Sequence, residues 1–217
     1  MPAAILAAAG RGERFGSPKQ FHPLSGKPLL AWSLDVLRVA GCSPVVVVVA
    51  PEQTDRARVE LGGPDVVIVP GAEVRQGSVR IGLGHVESDV VVVHDAARPF
   101  ATPELVSEVV AAVSGCDGAI AAVPVDETIK RVEDSRVIAT VDRTPLWRAQ
   151  TPQAFRTAVL RAAHERAQSE GHLATDDAEL VERYGGSIAI VEGSRANLKI
   201  TFPEDLELAR AMAEGRS

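Results

Sequence analysis

Aliphatic runs recur along the chain at residues 3–8, 45–50, 66–70, 90–94, 118–124 and 187–192, separated by stretches of helical period. The run Val45, Val46, Val47, Val48 and Val49 is apolar at every position, not at alternate ones. A strand of that kind needs cover on both faces, as in a parallel sheet between helix layers. Strands alternating with helices are the sequence form of βαβ units, so the pattern predicts an α/β fold with a mainly parallel sheet flanked by helices. One helix is predicted over 28–40, with Pro28 at its first position and Gly41 closing it, and another opens at Thr102 and Pro103. The last opens on Thr201, Phe202, Pro203 and Glu204, a Thr-x-x-Glu capping box. No repeat or linker divides the chain, which reads as one domain over 1–217.

Residues 128–141 break this rhythm, reading as two short strands around a turn at Asp134 and Ser135. A lone two-stranded hairpin is marginal in water. An arm at about 125–150 should therefore pack on something: a second subunit, or the main sheet as an extra antiparallel edge.

Composition narrows the picture. The 217 residues are 46% hydrophobic but only 4% aromatic, so the core is aliphatic. With 23 Lys and Arg against 29 Asp and Glu, the net charge of −6 offers no global field for a nucleic acid. Cys42 and Cys116 are too far apart for a CxxC site and form no disulfide framework; they read as buried thiols in a reducing compartment. The apolar start of the chain lacks the cationic segment of a signal peptide, and no apolar stretch approaches the roughly 18 residues that span a bilayer. The expectation is a cytoplasmic protein with no membrane partner.

The chemistry begins after the first strand, where Ala8, Ala9, Gly10, Arg11, Gly12, Glu13, Arg14, Phe15 and Gly16 form a small-residue loop. The dinucleotide fingerprint GxGxxG fails at Phe15, and the phosphate loop GxxxxGK[ST] fails because Lys19 and Lys27 sit beside prolines. What remains is a turn whose backbone N–H groups can approach an anion, with Arg11, Arg14 and Lys19 to neutralise it. An ordinary charged surface loop has the same appearance. The five histidines show no HxxxH or HExxH spacing, so no zinc site is indicated, and they read as structural or surface residues.

The run Leu6 to Arg14 followed by Pro18 and Lys19 resembles the L-A-A-G-x-G-x-R…P-K motif of nucleotidyltransferases. Further stretches narrow the resemblance: Arg75 with Ser78, His94-Asp95 with Arg98, Arg143 with Trp147, Gln150-Thr151-Pro152-Gln153, Thr175-Asp176, and Asn197 with Lys199. In this order they resemble the 2-C-methyl-D-erythritol 4-phosphate cytidylyltransferase family, from residue 5 to the last helix. The resemblance implies a Rossmann-like nucleotide-diphospho-sugar transferase fold with a protruding β-hairpin arm. It implies transfer of a cytidylyl group from CTP to methylerythritol 4-phosphate, assisted by Mg²⁺, in non-mevalonate isoprenoid synthesis.

By the same resemblance Arg14 and Lys19 neutralise the nucleotide phosphates, while Arg143 and Lys199 hold the acceptor phosphate. Arg98, Thr128, Thr151 and Thr175 surround the acceptor. Asp95 stands beside the metal and the acceptor hydroxyls. The nucleotide site takes in Ala8, Ala9, Gly10, Gly12, Gly71, Arg75, Ser78, Asp95 and Ala96. The family's arm crosses a homodimer, so Thr128 and Arg143 would serve the neighbour's site. One departure is Ala72, where the family has a second glycine; its Cβ puts cytosine selectivity in doubt. Ribitol 5-phosphate is the nearest alternative acceptor. A sugar-1-phosphate nucleotidyltransferase would be longer, and no Asp-x-Asp motif supports a glycosyltransferase. A nucleotide sensor without activity is the reading from another class.

Overall fold

The computed structural model describes residues 1–10, 12, 15, 16 and 18–215. In chain order the strands and α-helices are β1 Ala3–Ala8, β2 Pro23–Leu24, β3 Lys27–Pro28, α1 Leu29–Val39, β4 Val45–Val49, α2 Thr54–Leu61, β5 Val66–Pro70, α3 Arg75–Leu83 and β6 Val90–Asp95. They continue with α4 Pro103–Ala112, β7 Gly118–Pro124, β8 Ile129–Glu133, β9 Arg136–Val141, β10 Trp147–Arg156, α5 Thr157–Glu170, α6 Asp177–Arg183, β11 Ile188–Glu192 and α7 Pro203–Glu214.

Seven strands form one sheet in the order β11-β7-β10-β6-β1-β4-β5. Every pairing is parallel except those of β10, which runs antiparallel to both β6 and β7. Successive side chains of a strand leave on opposite faces, so the valine runs feed two cores. Ala4, Leu6, Val45, Val47 and Val92 pack against Leu30 and Leu34 of α1 and Val106 and Val109 of α4. Ala3, Ile5, Val46, Val48, Val91 and Val93 pack against Val79 and Leu83 of α3 and Leu160 and Ala163 of α5. A smaller cluster of Leu24, Leu29, Phe100, Ile200, Leu206 and Ala209 seats α7. Among the described residues no helix is long and apolar enough to cross a membrane.

The structure departs from the sequence reading in four places. The reading gave no strand over Trp147–Arg156, because Gln150, Thr151, Pro152 and Gln153 lack an apolar run and proline demotes a strand; the strand tolerates them through a register shift between Ala149 and Gln153. The arm is not an extra edge of the main sheet: β8 and β9 pair only with each other, in a separate two-stranded sheet. At α7 the side chain that reaches back is Asp205, not Glu204: its Oδ2 accepts from the N–H groups of Thr201 at 2.7 Å and Phe202 at 2.8 Å. Cys116 is only half-buried, with its thiol on the Ala112 and Gly118 carbonyls, whereas Cys42 lies in the core.

Candidate active site

From β1 the chain moves outward to β4 and β5, then returns to place β6 on the other side of β1. In open α/β sheets a crevice opens at such a reversal, outside the carboxyl ends of the strands. Here β1 and β6 run side by side with Ala7 opposite Asp95. A pocket opens directly beyond them, lined by Ala7, Ala8, Ala9 and Gly10 on one side and by Ala72, Glu73, Val74, Arg75 and Ser78 on another. Lys19, Gln20, Asp95, Ala96, Ala97 and Lys199 complete it.

The wall near Ala9 depends on a missing side chain. A Cβ on Gly71 would lie 2.5 Å from Ala9 Cβ, 2.8 Å from Ser78 Oγ and 3.0 Å from Val48 Cγ1. Glycine therefore lets the 71–78 turn close against β1 and β4. Ser78 holds that turn, its Oγ accepting from Ala72 N at 3.0 Å. The methyl of Ala72, where a second glycine was expected, sits against Gly77, whose own Cβ would come within 2.8 Å of it. The extra carbon is thus accommodated by the helix below it.

Asp95 is the electrostatic centre. Its Oδ1 accepts from Arg75 Nε at 3.0 Å and its Oδ2 from Lys199 Nζ at 2.7 Å. Burial opposes its ionisation, but Arg75, Lys199 and Arg98 outweigh that cost and hold the carboxyl well below the usual range. Behind it, Asp95 N–H donates to Thr151 Oγ1 at 3.0 Å, and Thr151 Oγ1 lies 3.0 Å from His94 Nδ1. His94 Nε2 faces the Arg98 carbonyl at 3.2 Å, so Nε2 carries the proton and Nδ1 accepts from the threonine hydroxyl. Burial pushes His94 down to about 4, which keeps it neutral at pH 7.

Lys199 reaches the pocket on the segment between β11 and α7. Arg98 Nη1 donates to Asn197 O at 2.7 Å, and Asn197 Nδ2 donates to Thr151 O at 2.9 Å. On the opposite side Arg75 Nη1 donates to Asp177 Oδ2 at 2.7 Å, and Asp177 Oδ1 meets His164 Nε2 at 3.0 Å. Arg75 is held strongly protonated: burial works against its charge, and Asp177 and Asp95 override it.

The structure thus gathers Ala8, Ala9, Gly10, Lys19, Arg75, Ser78, Asp95, Ala96 and Lys199 around one pocket, with Gly71 and Thr151 immediately behind. Arg14 lies outside the described residues. Gly12 accepts from the N–H groups of Phe15 and Gly16, both at 2.8 Å, in a turn of its own. Thr175 is bonded to Glu179, and Thr128 and Arg143 belong to the arm, where Arg143 donates to the Asp126 carbonyl. Gly12, Thr128, Arg143 and Thr175 do not line the pocket. Sequence reasoning passed over Gln20, which donates to Gly10 O at 3.3 Å, and the His164–Asp177 pair. No motif joins two residues on separate helices. Among the described residues no three His, Cys, Asp or Glu side chains gather into a metal cage.

The model of the 2-C-methyl-D-erythritol 4-phosphate cytidylyltransferase family matches residues 3–214. The chain belongs to this family. It is 46% identical over 211 residues to a 2-C-methyl-D-erythritol 4-phosphate cytidylyltransferase of Aquifex aeolicus, covering 97% of this chain and 96% of that one. The crystal structure of the Thermus thermophilus cytidylyltransferase superposes with a TM-score of 0.86 at 36% identity, covering 99% of this chain and 100% of the other. That of the 4-diphosphocytidyl-2C-methyl-D-erythritol synthase of Anaerococcus prevotii gives a TM-score of 0.88 at 29% identity, covering 99% and 96%. The cytidylyltransferase fold therefore spans the whole chain, and the pocket beyond β1 and β6 lies within it.

Proposed function

We propose that the chain transfers the cytidylyl group of CTP to 2-C-methyl-D-erythritol 4-phosphate, releasing pyrophosphate. Family membership over residues 3–214 carries the reaction, and the cation-lined pocket at the β1–β6 reversal supports assigning it there. Cytosine fits between residues 8–10 and the 72–78 turn, with Lys19 toward the triphosphate. The acceptor phosphate lies toward Lys199, and one of its oxygens attacks the α-phosphorus. A phosphate monoester has its second pKa near 6 and is mostly ionised at pH 7, so it needs no general base. Asp95, at the reacting end, is held ionised by Arg75 and Lys199. What the protein supplies is position and positive charge.

Mg²⁺ commonly binds through one or two carboxylates together with substrate phosphates. Among the described residues the pocket's carboxylates are Asp95 and the exposed Glu73, a set that fits an ion brought in on the triphosphate and not one caged by protein. Such an ion would neutralise charge on the phosphates being separated, and Asp95 is the residue to face it.

The arm supports a dimer with composite sites. Val132, Val137 and Ile138 are exposed on it, and Arg143 lies away from its own chain's pocket. A second copy would receive Arg143 and Thr128 beside its acceptor. The unpaired cysteines fit a reducing, cytoplasmic setting. The test is pyrophosphate release with Mg²⁺ and CTP against methylerythritol 4-phosphate, ribitol 5-phosphate and a sugar 1-phosphate. Release with the first alone is expected; release only with ribitol 5-phosphate moves the substrate, and none with any acceptor defeats the reading.

A further inference from the structure

Asp177 and His164 are each 1% exposed and line no part of the pocket, yet they extend its charge network inward. A fully buried carboxylate is costly unless paired, and an apolar pair would fill the same space at less cost. Asp177 opens α6, but it does not cap it: Asp176 does, its Oδ1 accepting from Glu179 N at 2.9 Å while Oδ2 accepts from Gln153 Nε2 at 2.9 Å. That leaves Asp177 turned toward Arg75, with Oδ2 on the guanidinium and Oδ1 on His164 Nε2. His164 Nδ1, also buried, has no partner among the described residues. Its ring therefore serves Asp177 through Nε2 alone, as a donor.

The guanidinium is planar, with its donors in a fixed fork. With Nη1 pinned on Asp177, Nε is left facing Asp95 in one orientation. Lys199 is the other cation bonded to Asp95, and when Lys199 leaves, Asp95 keeps a bonded counter-ion only if Arg75 stays where it is; Arg98 adds positive charge nearby without a hydrogen bond to the carboxylate. We infer that Asp177 and His164 are positioning residues that lock Arg75 as the standing counter-ion of Asp95, so that Lys199 is free to move onto the acceptor phosphate. This rests on the reading of Lys199 as the acceptor's cation. Gln76 independently ties the first turn of α3 to the segment before α6, donating to His172 O at 3.0 Å and accepting from Ala174 N at 2.9 Å. The nucleotide wall does not depend on the Arg75 lock.

The test is steady-state kinetics of Asp177→Asn, His164→Gln, His164→Leu, Arg75→Met and the double variant Asp177→Asn with Arg75→Met. Groups one step removed from a site are worth on the order of ten-fold. Asp177→Asn should raise the KM for methylerythritol 4-phosphate about ten-fold and leave the KM for CTP within about two-fold. His164→Gln keeps an N–H near the Nε2 position and should behave as wild type, whereas His164→Leu should follow Asp177→Asn. On the Arg75→Met background, Asp177→Asn should add nothing further. Equal losses toward both substrates, additivity with Arg75→Met, or identical behaviour of the two His164 variants would overturn the inference while an active wild type keeps the reaction intact. A wild-type chain that releases no pyrophosphate overturns both. If Asp177→Asn does not fold, the His164 pair decides.

Discussion

Asp95 and Lys199, 104 positions apart in the chain, meet with Lys199 Nζ donating to Asp95 Oδ2 at 2.7 Å. One ends the central strand β6, and the other stands on the segment leading into α7. Their contact closes the floor of the pocket, and a phosphate placed between them competes for the lysine.

Lys199→Ala should therefore abolish most turnover without unfolding the protein. The lysine side chain is 42% exposed, so little packing is lost. Removing one preorganised charge from a reacting centre costs about 10²–10³-fold, and kcat/KM for the acceptor should fall by that order. Parallel thermal melts separate this from misfolding.

Gly10 and Gly71 should respond differently to the same methyl group. Among the described residues nothing lies within 4 Å of a Cβ on Gly10, so Gly10→Ala should melt like wild type while its KM for CTP rises. A Cβ on Gly71 collides with Ala9 and Ser78. Overpacking costs about 1–3 kcal/mol, so Gly71→Ala should lose both stability and CTP affinity. Melting temperatures and CTP titrations on the pair check this.

Acid should erase the stability contribution of Asp177. Burial opposes its ionisation, yet Arg75 and His164 hold its carboxyl below the usual range. A depressed folded value means the unfolded chain takes up the proton first, so the contribution is complete above pH about 4 and is lost as pH falls below it. Urea unfolding of wild type and Asp177→Asn at pH 6, 4 and 3 should show a gap that is full at pH 6 and narrows at 3.

Arg143→Ala and Lys199→Ala should complement each other if the arm serves a second copy. Each homodimer should be nearly inactive. Random mixing gives about half heterodimers, each with one intact site, hence about a quarter of wild-type activity. Pyrophosphate release from mixed and refolded chains reads this directly; no recovery would place Arg143 in its own chain's site.

Much of this was legible in the sequence where a physical rule is local. Val45 to Val49 is apolar at every position because both sheet faces are covered, and Gly10 follows β1 because the crevice lies at the strand's carboxyl end. Strand β10 was not legible, because Gln150, Thr151 and Gln153 are polar and buried for their hydrogen bonds and not for hydrophobicity. The His164–Asp177–Arg75 chain was not legible either, since it forms only when α3, α5 and α6 pack on the same sheet face. The family resemblance supplied Asp95 and Lys199 as partners in one site; no spacing rule joins them.

The most direct test is a crystal structure of the chain with CTP and Mg²⁺. Cytosine should lie between residues 8–10 and the 72–78 turn, with the α-phosphate on the side of Lys199 and Asp95. A base bound anywhere else, or an α-phosphate out of reach of Lys199, would contradict the account.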